Sequence, residues 1–465
     1  MVGWIERVDA LPARMAVAAS VDVLHVPYTY FPDSVGGTEI YVAGLAEVLR
    51  SFGVHSAVAA PGRADAAYDH DDVPVFRFAI DPHPDIDRAY GAADLRAAES
   101  FRLLIARLRP RIVHLHAYTA AVSTRLVDIA HEAGANVVFT YHTPAVSCAR
   151  GTMMRMGRVQ CDGKLDRYRC TLCTSAQHGM PPLFRDAIAR TPQAIGDGLG
   201  RGGLAGGVFT ALRLSSLIGA AHRRFEDLAR KVERIVVLCR WVGEVLQRNG
   251  VPDDKLALCR PGLFRHPGPR AWPQSGPECR NVRGVLRLGY FGRLHPTKGV
   301  DIIIDALRRV PDATLWLEIY GIRQPGCEAY AAKLERAAAK DPRIALLSSL
   351  PPDAVGDAMR NCDLVVMPSR SLEVAPLVVL EAFAAETPVL AARLGGIAEL
   401  VSDHVDGLLI PPQDPGAWAS VIAALVKNPE RVAGLRAGIR PPRTMDDVGR
   451  EMGELYRTLL NNAGG

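Results

Sequence analysis

Two separate series of alternating strand and helix patterns run through this chain and constrain its fold more than any other feature. The strand patterns of the first series lie at residues 21–26, 56–60, 112–116, 136–141, 234–239 and 256–259. An amphipathic helix pattern over 39–51 follows the first of them. Strands that alternate with helices form βαβ units and a parallel sheet. The first half is therefore predicted to be one parallel-sheet domain, over residues 1–261.

A second series with the same alternation begins after a segment rich in proline and glycine. That segment, 262–285, has no hydrophobic period and is interpreted as a linker. The strand patterns of the second series lie at residues 286–291, 314–320, 344–347, 363–367, 388–391 and 407–410. We expect an α/β chain with two Rossmann-like domains, the second over 286–444, followed by a terminal helix over 445–465. A length of 465 residues accommodates both domains.

The composition is that of a globular protein and excludes several other classes. Hydrophobic residues make up 48% of the chain and charged residues 23%, which argues against global disorder. No stretch approaches the roughly 20 apolar residues that a membrane-spanning helix needs. The segment 1–20 contains acidic side chains and lacks the apolar centre of a secretory signal. We expect a cytoplasmic protein without a disulfide framework, because nine cysteines are an odd count.

Residues 148–233 fit the alternation poorly and are interpreted as an insertion in the first domain. Its first part contains four cysteines, namely Cys148, Cys161, Cys170 and Cys173. Four thiolates that end in a C-x-x-C pair suffice for a tetrahedral zinc site, which we expect to be structural. The alternatives are an iron–sulfur cluster, which is less favoured, and four unrelated thiols.

The insertion is also strongly basic. Residues 150–235 contain fifteen Lys and Arg against seven Asp and Glu, whereas the whole chain has a net charge of +5. An apolar helix pattern between the arginines, 204–221, is of a kind that can lie in a membrane interface. We expect the insertion to recognise an anionic or lipid-linked acceptor, as a peripheral contact at the inner face of a membrane. The alternative is a helix packed on its own domain. Nucleic acid is not an expected partner, because no recognition-helix pattern accompanies the charge.

A glycine-bounded loop with two cations follows the first strand of the second domain. It reads GRLHPTKG over 292–299 and precedes a helix pattern over 300–307. A strand, a glycine-punctuated loop and a helix N-terminus together suit an anion at the carboxyl edge of a sheet. Arg293 offers a planar fork for phosphate oxygens, and Lys298 offers a compact point charge.

Two glutamates, Glu373 and Glu381, stand eight residues apart around the start of a later helix pattern. Pro376 is favoured in a first helical turn, which leaves Glu373 in the preceding loop and Glu381 inside the helix. Proline has no N–H, but Leu377 and Val378 keep theirs and can offer them to an anion. The glutamates would accept hydrogen bonds from hydroxyls on either side. A diphosphate flanked by two polyols is a nucleotide sugar.

These motifs, in this order on two alternating domains, resemble the retaining GT-B glycosyltransferases of the glycosyl transferases group 1 family. The resemblance covers most of the chain and implies a GT-B architecture, in which two Rossmann-like domains face a cleft. It implies that Arg293 and Lys298 bind the donor diphosphate. Of the glutamates, Glu373 would contact the donor sugar and Glu381 the nucleotide ribose. The stretches 395–399 and 406–409 also resemble the family.

The first half carries the remaining points of resemblance. Gly36 and Gly37 resemble the flexible loop at the donor pyrophosphate, and His142 resembles the histidine that lines the reaction centre. The stretch 114–116 resembles a neighbouring strand end. The family commonly has glycine where Pro376 stands, so a backbone contact to the donor at that position cannot be carried over.

The resemblance implies transfer of a hexosyl unit from a nucleotide-diphosphate sugar to a glycan, lipid-linked or small acceptor, with retention at the anomeric carbon. Negative charge builds on the β-phosphate as the glycosidic bond breaks, and fixed cations would stabilise it. The expected catalytic residues are His142, Arg293, Lys298 and Glu373. No catalytic metal is expected, since the D-x-D at 85–87 lies in a proline-rich loop typical of a turn.

Two other functions compete with this interpretation. An NAD-dependent oxidoreductase requires G-x-G-x-x-G directly after a strand, and the stretch 196–203 lacks both the spacing and the strand. A non-catalytic protein that keeps the GT-B fold and only binds a nucleotide sugar is the second alternative. The intact set of Arg293, Lys298, Glu373 and Glu381 argues against it.

Overall fold

The computed structural model describes residues 21–33, 36–83, 85–204, 206–264 and 284–462. The N-terminal stretch 1–20 and most of the expected linker, 262–285, lie outside these residues. Within them the chain forms two sheets of mainly parallel strands with helices in the connections. The expected α/β class with two Rossmann-like domains is therefore confirmed.

The first part of the N-terminal sheet follows the predicted alternation. Its elements are β1 (Val23–Val26), α1 (Gly37–Ser51), β2 (Ser56–Gly62), β3 (Ala66–His70), β4 (Val73–Ala79), α2 (Ile86–Ala89), α3 (Leu95–Leu108), β5 (Ile112–Leu115), α4 (Thr124–Glu132) and β6 (Asn136–Tyr141). The strands β1 and β5 are buried throughout, as central strands of a parallel sheet are. The pair β3 and β4 was not predicted, because β3 is a largely half-exposed strand that adds an antiparallel edge.

The insertion contributes a small hairpin and four helices before the chain returns to the sheet. The elements are β7 (Met154–Arg155), β8 (Val159–Gln160), α5 (Arg167–Gln177), α6 (Pro182–Arg190), α7 (Gln193–Arg201), α8 (Gly207–Lys231), β9 (Arg234–Val237), α9 (Arg240–Arg248) and β10 (Leu256–Leu258). The strand order is β10-β9-β6-β5-β1-β2-β4-β3. The described part of this domain therefore forms one sheet, with the insertion entering between β6 and β9.

The C-terminal sheet has the order β13-β12-β11-β14-β15-β16, and its paired strands are parallel. The elements are β11 (Leu286–Arg293), α10 (Val300–Leu307), β12 (Leu315–Ile322), α11 (Glu328–Ala338), β13 (Ile344–Ser348), α12 (Pro352–Arg360), β14 (Leu364–Met367), α13 (Leu377–Ala384), β15 (Val389–Ala392), α14 (Gly395–Leu400), β16 (Gly407–Ile410), α15 (Pro415–Lys427), α16 (Glu430–Ala437) and α17 (Met445–Asn462).

The strand order reverses once beside the first strand of each sheet. The reversal lies between β1 and β5 in the N-terminal sheet and between β11 and β14 in the C-terminal sheet. Open α/β sheets bind ligands outside the carboxyl ends of the strands at such a point. The topology therefore predicts a ligand site at the ends of these four strands and in the loops that follow them.

The terminal helix α17 packs on the N-terminal domain. Its Tyr456 hydroxyl lies 2.6 Å from Nδ1 of His114, and both side chains are buried. A Cβ on Gly449 would lie 2.3 Å from Val48 of α1, so the two helices approach closely at a glycine. The last element of the chain therefore completes the N-terminal core.

Candidate active site between the two domains

The loop after β11 packs against the loop after β14. Arg293 ends β11, one turn of 3-10 helix covers Pro296–Lys298, and Gly299 adopts a left-handed conformation with φ 70° before α10. A Cβ on Gly299 would lie 2.1 Å from the carbonyl oxygen of Pro368, so a larger residue cannot fit there. This close approach places both loops at the reversal point of the C-terminal sheet.

Lys298 and Glu373 form an ion pair between these loops. Lys298 Nζ donates to Glu373 Oε1 over 2.7 Å, and Ser369 Oγ donates to the same oxygen over 2.6 Å. The Lys298 and Glu373 side chains are 23% and 13% exposed. Burial would raise the pKa of Glu373, but Lys298, Ser369 and Arg293 together hold it below its ordinary value. Glu373 is therefore a carboxylate at neutral pH.

A second ion pair supports the same two loops. Arg370 donates to both carboxylate oxygens of Asp301, over 2.6 and 3.0 Å, and its backbone N–H donates to the carbonyl of Thr297 over 2.7 Å. A bidentate arginine pair fixes orientation as well as distance. Asp301 lies in the first turn of α10, so this contact holds the loop of Lys298 against the loop of Glu373.

Helix α13 begins at Leu377, directly after Pro376. The first N–H groups of a helix have no partner within it, so those of Leu377 and Val378 are available to an anion. Glu381 lies inside the helix and Glu373 in the preceding loop, which is the arrangement derived from their spacing. Burial raises the pKa of Glu381.

The glycine pair at the start of α1 meets α13 across the two domains. The N–H of Gly36 donates to Glu39 Oε2 over 2.8 Å. A Cβ on Gly37 would lie 3.6 Å from the side chain of Leu377. Two helix N-termini, one from each domain, therefore meet at one place, and helix N-termini favour anions.

A further glycine pair lets α14 approach the Glu373 loop. Gly395 has φ 50°, and a Cβ on it would lie 2.7 Å from the carbonyl oxygen of Glu373. The N–H of Gly396 donates to that carbonyl over 2.6 Å. The stretch 395–399, which resembles the family, therefore positions the backbone of Glu373.

Glu399 of α14 caps a helix of the opposite domain. Its two carboxylate oxygens accept from the backbone N–H groups of Arg240 and Trp241, at 2.9 Å each. These are the first residues of α9, where a carboxylate is favoured by unpaired N–H groups and by the helix dipole. The indole N–H of Trp241 also donates to the carbonyl of Glu373 over 3.4 Å. The contact joins the domains beside the Lys298 pair.

A chain of histidines lies on the N-terminal side. His25 Nδ1 lies 3.0 Å from His116 Nε2, and His116 Nδ1 lies 3.0 Å from His142 Nε2. The ring of His142 packs at 5.1 Å, centroid to centroid, on Tyr41 of α1. The chain therefore connects the buried end of β1 to His142, next to the helix that carries Gly37.

The histidine chain is uncharged. Burial lowers the pKa of His25 and that of His142 to about 3, and lowers the pKa of His116 as well. His25 Nε2 has no hydrogen-bond partner among the described residues. An unpaired buried N–H is the costlier state, so we assign the proton of His25 to Nδ1. His116 then donates from Nδ1, which leaves His142 with its own proton on Nδ1.

Nitrogen atoms of His25, His114 and His116 all lie within 4.8 Å of one another, within reach of a metal ion. His114 is bonded to the hydroxyl groups of Tyr456 and Thr140, over 2.6 and 2.7 Å. All the nitrogens of these three rings except His25 Nε2 thus already take part in hydrogen bonds. We therefore describe the group as a hydrogen-bonded cluster.

A cavity of about 630 Å³ opens at the same edge of the C-terminal sheet. It is lined by Leu294, which follows Arg293, and by Gly321, Ile322 and Ser348 at the ends of β12 and β13. Its volume is in the range of small-molecule sites.

The helix expected over 204–221 is buried along its central part, whereas Val208 and Phe209 near its start are exposed, so a surface contact of that start stays a prediction. In α8, Leu214, Leu217 and Ile218 are buried. Arg213 is buried too and contacts Asp87 at 2.7 Å, so Asp87 of the D-x-D serves as its ion-pair partner. The central face of α8 belongs to the core of the insertion, and the alternative interpretation holds there. No helix in the described part of the chain has the uninterrupted apolar length that a membrane span requires.

The structure also gives positions to the stretch 196–203, to Asp85 and to the four cysteines of the insertion. The stretch 196–203 lies mainly in helix α7, which is no dinucleotide loop. Asp85 caps the short helix α2. The four cysteines of the insertion are free and half-buried.

Several contacts of the site were not predicted from the sequence. Ser369, Asp301, Arg370 and Trp241 belong to no motif. The last three contact residues distant in the sequence, whereas Ser369 lies four residues before its partner Glu373. The stretch 114–116 did resemble a family strand end, but nothing in the sequence paired His116 with His25. Only the adjacency of β1 and β5 supplies that contact.

Two family models match consecutive parts of the chain. The model described as Glycosyl transferase 4-like domain matches residues 36–262, and Glycosyl transferases group 1 matches residues 284–439. The first covers α1 to the end of the N-terminal sheet, and the second covers the Lys298, Glu373 and Gly395 regions.

Curated relatives show a similarity of about one third. A D-inositol 3-phosphate glycosyltransferase of Nocardia farcinica is 34% identical over 286 residues, which are 58% of this chain and 57% of that protein. The protein of the same name from Rhodococcus jostii is 35% identical over 208 residues, covering 42% of this chain and 44% of that protein. The chain thus spans about half the length of the curated relatives that it matches.

Solved structures resemble the whole fold at low identity. HepE of Anabaena in complex with UDP superposes with a TM-score of 0.61 at 16% identity, covering 94% of this chain and 100% of that one. Sucrose-phosphate synthase of Thermosynechococcus elongatus gives a TM-score of 0.64 at 18% identity, covering 95% and 100%. The likeness supports the two-domain GT-B architecture of the described chain.

Proposed function

This chain belongs to the glycosyl transferases group 1 family, with a glycosyl transferase 4-like domain preceding it, and on that basis we propose that it transfers a hexosyl unit from a nucleotide-diphosphate sugar to a hydroxyl acceptor. The observation that carries the proposal is the Lys298–Glu373 pair at the junction of the two loops, beside the N-terminus of α13. It combines a fixed cation, unpaired helix N–H groups and a carboxylate in one place.

The diphosphate of the donor is proposed to lie at the N-termini of α1 and α13, near Lys298 and Arg293. Two phosphates carry negative charge that these groups offset. The nucleoside is proposed to extend into the cavity beside Leu294. Glu381, inside α13, would accept hydrogen bonds from its ribose hydroxyls. Glu373 accepts from hydroxyls of the donor sugar through Oε2, because its bonds to Lys298 and Ser369 both use Oε1.

In the proposed reaction, the bond between the anomeric carbon and the β-phosphate oxygen breaks, and its electron pair stays on that oxygen. The acceptor oxygen forms the new bond on the same face of the sugar, which retains the anomeric configuration. The acceptor proton passes to the departing β-phosphate. Lys298, Arg293 and the N–H groups of Leu377 and Val378 stabilise the charge that develops there. These groups supply the stabilisation, so the step needs no metal.

His142 is proposed to face the donor sugar from the other domain. With its proton on Nδ1 and a pKa lowered to about 3, it is a neutral hydrogen-bond donor rather than a cation. A neutral donor can hold a sugar hydroxyl without competing with Lys298 for the phosphate.

The acceptor is proposed to carry negative charge. The relatives named above act on an inositol phosphate, and the insertion beside His142 is basic. A lipid-linked acceptor fits the exposed side chains of Leu183 and Phe184 in α6 and of Val208 and Phe209 in α8. Sedimentation with anionic vesicles, compared with neutral ones, tests this part: anionic-only binding that high salt removes supports a membrane-presented acceptor, and no binding to either favours a soluble one.

The transfer function is tested with UDP-, GDP- and ADP-sugars in a thermal-shift panel, followed by turnover of the donor that stabilises the protein. We expect one nucleotide to raise the unfolding temperature and the matching sugar to be released or transferred as the α-anomer from an α-linked donor, read by proton NMR. A protein that binds a nucleotide sugar but neither transfers nor hydrolyses it would be the non-catalytic alternative. Failure to bind any of the three would contradict the proposal.

A further inference from the structure

The four cysteines of the insertion line one small cavity. Cys148 follows the turn after β6, Cys161 directly follows β8, and Cys170 and Cys173 lie one turn apart on α5. All four border the same cavity of about 40 Å³. A single water needs about 15 Å³ of such volume, so the space suits one small ion. Segments that are separate in the sequence thus bring the four cysteines to one cavity.

The walls of this cavity are rich in cations. Arg150, Arg155, Lys164 and Arg169 line it together with the cysteines. Four thiolates around a divalent ion leave a net charge of −2, which nearby cations offset. Part of the basic character of the insertion therefore lies around the thiols and is not free for other partners.

Two hydrogen bonds hold Cys173 in place, and one of them ends on its sulfur. The N–H of Met156 donates to Sγ of Cys173 over 3.2 Å, and Arg150 Nη1 donates to the carbonyl of the same residue over 3.1 Å. Such surrounding hydrogen bonds orient metal ligands and tune them. Among the described residues the sulfurs are not drawn together as closely as the nitrogens of the histidine cluster, so an ion would pull them inward.

We propose that Cys148, Cys161, Cys170 and Cys173 bind one Zn²⁺ ion in a tetrahedral site. Four sulfur ligands with no open position are typical of structural zinc. The site is separate from the proposed reaction centre and takes no part in the transfer step.

The proposed zinc site would hold in place the hairpin that contacts the C-terminal domain. This hairpin, β7 and β8, lies between Cys148 and Cys161. The carbonyl of Thr152 accepts from the N–H of Leu372, next to Glu373, over 3.1 Å. Gln413 Nε2 donates to the carbonyl of Gly157 over 3.1 Å. We infer that the ion fixes this hairpin as a contact between the domains, so its loss should loosen the hairpin before it loosens either sheet.

Metal analysis of the full chain, purified without chelators, tests the site. The parent should contain about one equivalent of zinc, as should Cys327→Ser, whose cysteine lies at the start of α11. Cys170→Ser and Cys173→Ser should each contain less than a fifth of that. Less than half an equivalent in the parent, before and after incubation with zinc and reductant, overturns the proposal. Iron with equimolar sulfide would overturn zinc in favour of a cluster.

A second measurement does not depend on the folding of the cysteine variants. The parent is stripped with a chelator and exposed to a protease at low concentration, with and without added zinc. We expect cleavage after the arginines of 150–158 to become at least tenfold faster without the ion and to return to the starting rate when zinc is restored. Equal cleavage rates in both states would contradict the hairpin role. Neither measurement requires transfer activity, so the zinc proposal can fail while the proposed transfer function stands, and the reverse.

Discussion

The two faces of the cleft differ in how they are charged. The proposed donor face carries Arg293, Lys298 and the start of α13, with Glu373 kept ionised by its neighbours. The opposite face carries His25, His116 and His142, all kept neutral by burial. The charged side chains therefore lie where negative charge would develop on a phosphate, and the neutral polar side chains lie where a sugar would bind. Burial is thus the main cause of the neutral state of the histidines, with neighbouring imidazoles adding to it at His116, whereas named partners keep Glu373 ionised.

The largest effect is expected at the charged face, from Lys298→Ala. Removing the cation takes away stabilisation of the departing phosphate and leaves Glu373 without its partner. Loss of one such group typically reduces turnover about 10²- to 10³-fold. Steady-state kinetics should show a fall of at least about 100-fold in kcat/KM.

Lys340→Ala, an exposed lysine of the same domain, is the matched control and should keep parental kinetics. If Lys298→Ala turned over the donor at more than a third of the parental rate, the charged face would have been assigned incorrectly. Circular dichroism of Lys298→Ala separates the predicted loss of activity from unfolding.

Glu381→Gln should give the next largest effect, on donor binding. A hydrogen bond to a charged group contributes about 1.5 to 3 kcal/mol, so its loss should raise KM for the donor about tenfold or more. Burial raises the pKa of Glu381, so acidification protonates the carboxylate and weakens donor binding by the parent. A KM–pH profile measures this, and the variant should have the flatter profile.

Glu430→Gln, at an exposed position of α16, provides the comparison for that profile. Parental pH dependence in Glu381→Gln would show that another group is responsible and would remove the proposed ribose contact.

The neutral face should be revealed by the pH dependence of stability. The folded-state pKa of His25 is lowered to about 3, below the ordinary value of 6.5, so the unfolded chain binds more protons between these values. Stability present above pH 6.5 is therefore lost as the pH falls towards 3. Between pH 7.5 and 5.5 the loss is about 1.4 kcal/mol for His25. In His25→Asn, urea unfolding should show a smaller fall by this amount.

His178→Asn replaces an exposed histidine of the insertion and should retain the parental pH dependence. An unchanged slope in His25→Asn would mean that this imidazole takes up its proton as readily in the folded protein as in the unfolded chain, which contradicts the lowered pKa.

The smallest effect is expected at the contact that joins the faces. Glu399→Gln keeps one acceptor for the N–H groups of Arg240 and Trp241 and loses the other. The loss of a helix cap is worth about 0.5 to 2 kcal/mol, which lowers the unfolding temperature by about 2 to 4 °C per kcal/mol for a domain of this size. Calorimetry should show this shift in the N-terminal transition. A smaller shift than that of Glu244→Gln, on the exposed side of α9, would exclude the capping role.

The sequence predicted the donor face better than the histidine face, for a physical reason. Arg293, Lys298, Glu373 and Glu381 belong to two short segments whose strands, turns and helix starts can be read locally. The contact of Lys298 with Glu373 follows from the parallel topology, which the alternation of strands and helices already indicated. Both the fold class and the family were therefore within reach of the sequence.

The histidine chain could not be found in this way, because its members come from β1, β5 and the end of β6. Each histidine alone resembles an ordinary core residue. The same limit applies to Glu399, whose contact depends on how the domains meet. The same limit leaves two alternatives open over 204–221, since an apolar helix face that packs on its own insertion has the same periodicity as one that lies on a membrane.

Titration calorimetry tests the central claim most directly. It measures the binding of a nucleoside diphosphate to the parent, to Lys298→Ala and to Lys340→Ala. The claim is that the loops after β11 and β14 bind a diphosphate through Lys298. We predict that the parent and Lys340→Ala bind UDP, GDP or ADP with one site and equal affinity, and that Lys298→Ala binds it at least tenfold more weakly. Equal affinity in all three proteins would contradict the account.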